Sequence, residues 1–182
     1  MTPQLETRRL ILRPLQLADA EMTQRLFPHW EVVKFLANLV PWPYPEDAAL
    51  TYYREMALPA IERGDEWHWS IRLKEDPDQL IGCIALLRAE NNNRGFWLGL
   101  PWQGRGFMTE AAERVTDFWF NDLGFPVLRV PKAIQNEASR HISERSGMRV
   151  VAQFKKSYVI GELESELWEV TAEEWRARRA AG

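Results

Sequence analysis

Residues 96–115, "FWLGLPWQGRGFMTEAAERV", decide how this chain is read. An apolar run from Phe96 to Leu100 stops at Pro101. Gly104 and Gly106 then flank Arg105, and a helical pattern begins at once. A strand that ends in such a turn and opens a helix gathers several backbone N–H groups at one point, with the positive end of the helix dipole behind them. Glycine permits close approach and unusual φ at Gly104 and Gly106, and Arg105 adds charge. The geometry suits a phosphate; a tight strand–helix connection with no ligand explains the glycines as well. Two familiar phosphate loops are excluded. No Gly-Lys-Ser/Thr ending follows, and Thr109 stands where a dinucleotide fingerprint has its third glycine.

Upstream of this stretch, "RLILRPL" (9–15) reads as a strand stopped by Pro14, and "LADAEMTQRLF" (17–27) as a helix with Asp19 as its cap. "WEVVKFLANL" is a short helix ended by "VPWPYP" (40–45), whose three prolines make a rigid loop. A longer helix is expected from Pro45 to about Arg63, closed by Gly64. "EWHWSIRL" and "QLIGCIALLR" form a hairpin around "KEDPD", and "RGFWLGL" follows as the next strand after "NNN" (91–93). Downstream come a helix to Gly124, the proline-bearing strand "VLRVPKAI", a helix from Asn136 to Gly147, the strands "RVVAQFKK" and "ELWEVT", and a terminal helix "AEEWRARRA". The order gives an α+β fold, a mixed and mostly antiparallel sheet of about seven strands flanked by helices. No linker or repeat divides residues 1–182, so one domain is expected.

Composition narrows the function classes. A net charge of −3 with no basic stripe argues against a nucleic-acid surface. The N-terminus lacks an apolar signal core and no apolar run reaches membrane-spanning length, so a cytoplasmic protein with no membrane partner is expected. Cys83, the one cysteine, lies in an apolar run and reads as a buried, inert thiol. His29, His68 and His141 show no metal-ligand spacing, and no metal is expected.

"WQGRGFMTEA" resembles the acetyl-CoA pyrophosphate loop of the GNAT superfamily of N-acetyltransferases, with Gln103 and Gly106 matching its signature and Met108 departing from it. That methionine is familiar in the RimJ/RimL-like branch, which acetylates ribosomal-protein N-termini. "LETRRLILRPLQLADAE", "VPWPYPEDA", "GFWLGLPWQGRGFMTEA", "NEASRHISERSGM" and "LWEVTAEEW" are similar to successive segments of that branch, so the resemblance spans nearly the whole chain. It implies the GNAT fold, with strands splayed at the coenzyme slot; Val130-Pro131 suits a strand that turns away from its neighbour. It implies acetyl-CoA as co-substrate and a primary amine as acceptor, either a ribosomal or other protein N-terminus or a small molecule, in a monomer or homodimer. A non-catalytic acyl-CoA-binding module is the alternative.

Carried onto this sequence, the resemblance assigns the pyrophosphate to the backbone from Gln103 through Gly104, Arg105, Gly106, Phe107, Met108 and Thr109. It assigns the coenzyme arm to Trp97, Leu98 and Gly99, and a further contact to Asn136, which is equally a natural helix cap. Ser139 stands where the branch carries a serine proposed to protonate the leaving thiolate. Ser143 stands where other relatives have a tyrosine, and an early-helix serine bonded to backbone is the rival reading of Ser139. No base is assigned: Asn93 replaces a glutamate that some relatives carry, Glu90 is expected in a turn, and His68 in a core or rim position. Trp42 and Tyr44 are candidate walls of the acceptor cleft, or plain packing.

Overall fold

Two-residue alternation builds the first sheet. The computed structural model describes residues 1–182. It orders β1 (Leu5–Glu6), β2 (Leu10–Pro14), β3 (Glu66–Leu73), β4 (Asp76–Leu87) and β5 (Arg94–Leu98) in sequence, each antiparallel to the next. Trp67, Trp69 and Ile71 from β3 and Ile84 and Leu86 from β4 point into the main core. A second sheet has the order β6 (Val127–Ala133), β8 (Gly161–Thr171), β7 (Arg149–Tyr158), again antiparallel. The eighth strand, beyond the seven expected, is the short β1, which pairs Leu5 with Leu12. The expected hairpin turn at "KEDPD" closes earlier, at Lys74-Glu75. Asp76 already belongs to β4, and shifts of register beside Arg72 absorb Pro77.

The helices cover both faces of the first sheet. α1 (Ala20–Leu26), α2 (Trp30–Val33), α3 (Ala48–Tyr52) and α4 (Leu58–Arg63) precede β3, with a π turn at Tyr53–Ala57 joining α3 to α4. α5 (Phe107–Asp117) and its π turn Phe118–Asp122 lie on the main core side with α6 (Glu137–Arg145) and α7 (Ala172–Ala181). Two expected helices are shorter than their patterns. The one after Trp30 stops at Val33, where turns take over, and the next starts at Ala48 instead of Pro45, after a segment in which Pro41, Pro43 and Pro45 offer no N–H for helical bonds.

Asp19 has a different job from the expected cap. Its carboxylate accepts the Gln16 N–H at 2.9 Å and pairs with Arg72 at 2.6 Å, both side chains being under a tenth exposed. Arg72 completes its shell on the carbonyls of Pro77 and Asp78 and on Ser70 Oγ. A second tie holds the start of α5. Glu110, in its first turn, accepts the backbone N–H and Nε–H of Arg9, each at 2.8 Å, and the hydroxyl of Thr7. Burial alone would raise the Glu110 carboxyl, but these hydrogen bonds and the Arg9 charge hold it below its usual range.

The two sheets meet at one joint. Asn93, buried at the head of β5, donates its N–H to Arg129 O at 2.7 Å and accepts the Arg129 N–H on Oδ1 at 2.8 Å. Its Nδ2 is held by the carbonyls of Leu87 and Ala89. Beyond that point β5 and β6 share no ladder, each pairing only on its other side.

Asp19→Ala leaves Arg72 as a buried unpaired cation and is expected to cost about 3–5 kcal/mol in urea unfolding. A loss under about 1 kcal/mol would contradict the role given to the pair. The Glu110 carboxyl ionises more readily folded than unfolded, so its stabilisation is present above the ordinary carboxylate pKa of about 4.3 and is lost as pH falls through the folded value. Glu110→Gln is therefore expected to be less stable than the parent at neutral pH, with the gap closing in acid. A gap that stays constant down to acid pH would show the carboxylate is not what matters.

Candidate active site

The glycine loop leaves β5 at the end away from the Asn93 joint. The Gly99 N–H donates to Ile81 O at 2.8 Å, a short 3-10 turn spans Leu100–Trp102, and Gln103 Nε2 reaches back to Leu98 O at 2.8 Å. Gly104 and Gly106 have φ of 74° and 81°, left-handed values that favour glycine. Gly106 then caps α5 through its backbone, and no side chain caps that helix. None of the backbone N–H groups of Gly104, Arg105, Gly106, Phe107, Met108 and Thr109 donates to a protein acceptor. Six successive free donors at a helix N-terminus are available to an anion. Arg9 and Arg105 stand over the Phe107 ring at 4.4 and 5.0 Å, adding positive potential beside it.

Between β5 and β6 lies a slot with known hydrogen-bonding character. In a strand, residues two apart present their peptide groups to the same side. Gly99, and by alternation Trp97 and Gly95, face β4; Phe96 and Leu98 turn theirs to the open side. Of the expected arm contacts, Leu98 alone has its N–H toward the slot, and Phe96 joins it. The N–H groups of Trp97 and Gly99 are directed at β4 instead. On β6, Arg129 faces Asn93, so Pro131 faces the slot, where its missing N–H leaves no buried donor without a partner.

The slot floor holds residues that the sequence reading passed over. Leu128, Val130 and Lys132 share one face of β6, so the third position of an apolar stripe carries an amine. Lys132 is 5% exposed, lies 5.4 Å over the Phe96 ring, and donates to Ser139 Oγ at 2.5 Å. Burial, and then the charge of Arg94, push its ammonium well below the ordinary lysine range. Arg94 is itself buried, bonded to Thr116 Oγ1 at 2.9 Å with no carboxylate partner, and burial lowers it to about 10. A lysine breaking an apolar period-two stripe was the available signal for Lys132.

The helix candidates converge on that floor. Asn136 caps α6, its Oδ1 accepting the Ser139 N–H at 3.3 Å. The Ser139 hydroxyl bonds to Lys132 and not to backbone. Ser143, one turn on, is fully buried and its Oγ has no partner. On the opposite face, the Trp97 ring packs on Phe27 at 5.2 Å, and Phe27 on Tyr44 at 5.0 Å. Tyr44 thereby borders β5, while Trp42 is 40% exposed and turns to Trp30 at 5.7 Å. The β7–β8 hairpin tip closes this side through Val159 N–H to Leu36 O. Glu90, His29 and His141 are exposed; His68 is buried against Glu66 at 2.5 Å. Cys83 is half-buried beside the Tyr53 hydroxyl, and burial pushes its thiol up to about 12, an unreactive state.

A joined pair of sheets, a helix start with free N–H donors and a slot between unpaired strands can be set beside known proteins. Residues 9–149 match the model of the acetyltransferase (GNAT) domain. The uncharacterized N-acetyltransferase YoaA of Bacillus subtilis (strain 168) is 30% identical over 153 residues, 82% of this chain and 84% of that protein. Ribosomal-protein-S5-alanine acetyltransferase from Vibrio fischeri has a similar fold, with a TM-score of 0.79 at 14% identity over 95% of this chain and 98% of its own. Spermidine N-acetyltransferase from Vibrio cholerae, solved with CoA and spermine, gives a TM-score of 0.77 at 17% identity over 93% of this chain and 99% of its own. No helix is long and apolar enough to cross a membrane. The chain belongs to the GNAT acetyltransferase family, N-acetyltransferases whose acetyl donor is acetyl-CoA.

Proposed function

We propose that this chain, as a single domain over residues 1–182, transfers acetyl from acetyl-CoA to a primary amine by direct attack on the thioester, in the manner of the RimJ/RimL-like branch. The observation that carries the site assignment is the run of six free N–H donors from Gly104 to Thr109 at the open end of the β5–β6 slot. These donors hold the pyrophosphate, with Arg9 and Arg105 beside it. The N–H groups of Phe96 and Leu98 take the pantetheine arm as an edge strand takes a peptide, and Asn136 borders its far end. Ser139 delivers the proton to the departing sulfur. Tyr44 and Trp42, with Phe27 and Trp97, form the wall along which the amine approaches.

The work of the protein is to hold two reactants in line and to balance charge at sulfur and oxygen as the tetrahedral intermediate collapses. The acceptor is a protein N-terminus or a small-molecule amine; neighbours acting on ribosomal protein S5 and on spermidine both support that class. The protein works in the cytoplasm as a monomer or homodimer. Release of free thiol from acetyl-CoA, followed across N-terminal peptides, polyamines and amino acids, tests the reading. Binding of the coenzyme with no acetyl transfer to any amine would favour a non-catalytic acyl-CoA-binding module.

Gly106→Val places a branched residue at φ 81°, with its Cβ 3.3 Å from Arg9 Nη2. Strain of about 1–3 kcal/mol at an exposed loop leaves the fold intact, and CoA affinity by calorimetry is expected to fall at least about tenfold. Unchanged affinity in the folded variant would remove the loop from the site. Ser139→Ala is expected to lower kcat on the order of 10² while leaving CoA affinity nearly intact, since the hydroxyl acts as charge collects on sulfur. Full activity would make Ser139 a structural residue.

A further inference from the structure

We propose that Lys132 is the proton source behind Ser139: the ammonium and the hydroxyl form a two-member relay that protonates the coenzyme A thiolate as it leaves. This rests on the acetyltransferase reading and adds a residue to it. Three observations point the same way. Lys132 occupies a core-facing position on β6, after Leu128 and Val130, where packing alone would favour an aliphatic side chain. It has no carboxylate within ion-pair distance; Glu166, opposite it on β8, is held by Arg140 at 3.0 Å and by the Trp168 indole at 3.1 Å. Its direct partner is Ser139 Oγ, on the first turn of α6, while Arg94 adds a second buried charge from β5. A buried amine and a buried guanidinium without an anion cost stability in their charged forms, and the arrangement becomes favourable when an anion arrives.

The chemistry requires such a source. An aliphatic hydroxyl is a much weaker acid than a thiol, so Ser139 alone cannot give up its proton and stay an alkoxide. A lysine ammonium made more acidic by burial and by Arg94 is a far stronger acid than a serine hydroxyl, so it can return the proton that the hydroxyl gives up. As the C–S bond breaks, sulfur takes the bonding pair. The Ser139 O–H proton moves to sulfur, and a Lys132 Nζ–H proton moves to Ser139 Oγ. Lys132 is left as a neutral amine, and the proton lost by the attacking amine restores it through solvent. One proton passes from nitrogen to sulfur in the whole cycle.

The relay is read from proton affinity, coenzyme binding and turnover together. In the parent, Lys132 Nζ, followed by NMR in protein carrying isotope-labelled lysine, is expected to titrate below the other lysines. With an amine that the parent acetylates, kcat is expected to fall as pH rises through that same value, because a neutral amine has no proton to pass on. Lys132→Met should lower kcat on the order of 10² and lose that basic limb, while CoA and desulfo-CoA affinities measured by calorimetry stay within about twofold of the parent's. Its melting temperature should not fall, because a buried amine without an anion is gone. Ser139→Ala should lose the same limb with the lysine still in place. A kcat in Lys132→Met within about twofold of the parent's, or a basic limb that survives the substitution, would overturn the relay and leave the acetyltransferase reading standing. Failure of the parent to bind either coenzyme, or to acetylate any amine, would remove the acetyltransferase reading itself, and the relay with it.

Discussion

Asn93 bonds β6 to the head of β5 at one point, and the site depends on what happens beyond it. A continuous ladder across these strands would seal the sheet and satisfy its edge groups. The chain instead fastens Arg129 to the backbone and side chain of Asn93, then turns Pro131 toward the gap. Proline has no N–H to leave unpaired there, and Phe96 and Leu98 keep open-edge donors opposite it. A fixed root and two unpaired edges leave a slot between β5 and β6. The glycine loop stands at the open end because β5 runs away from the joint.

The buried charges separate structural from functional work. Arg72 is compensated in full by Asp19, two carbonyls and a hydroxyl, which is how a folded protein tolerates a cation beneath helices. Arg94 and Lys132 lack any carboxylate, Arg94 Nε and Ser143 Oγ have no partner, and these three residues sit beside the slot. Polar groups left short of partners in one place are the mark of a site where binding and stability pull in opposite directions.

Much of this was legible in the sequence, and the parts that were not have physical reasons. The Gly-Arg-Gly turn, the Asn136 cap and the proline of β6 are local signals, set by φ, by capping and by a missing N–H, and each appears where the pattern placed it. Asp19 looked like a cap because local sequence cannot reveal an arginine 53 positions away. Asn93 was noticed only as a missing glutamate. Its role as the joint between sheets depends on Arg129, and no spacing rule links the two. Lys132 could have been found: a lysine at the third place of an apolar period-two stripe conflicts with the strand pattern around it. Which peptide groups of β5 face outward needed the register with β4, so Trp97 and Gly99 could not be told from Phe96 and Leu98.

A crystal structure of the chain with acetyl-CoA tests the central claim most directly. The account requires the pyrophosphate on the N–H groups of Gly104 through Thr109, the arm between β5 and β6 against Phe96 and Leu98, and the sulfur beside Ser139 and Lys132. A coenzyme bound elsewhere, or a β6 that closes onto β5 as a paired strand, would contradict it.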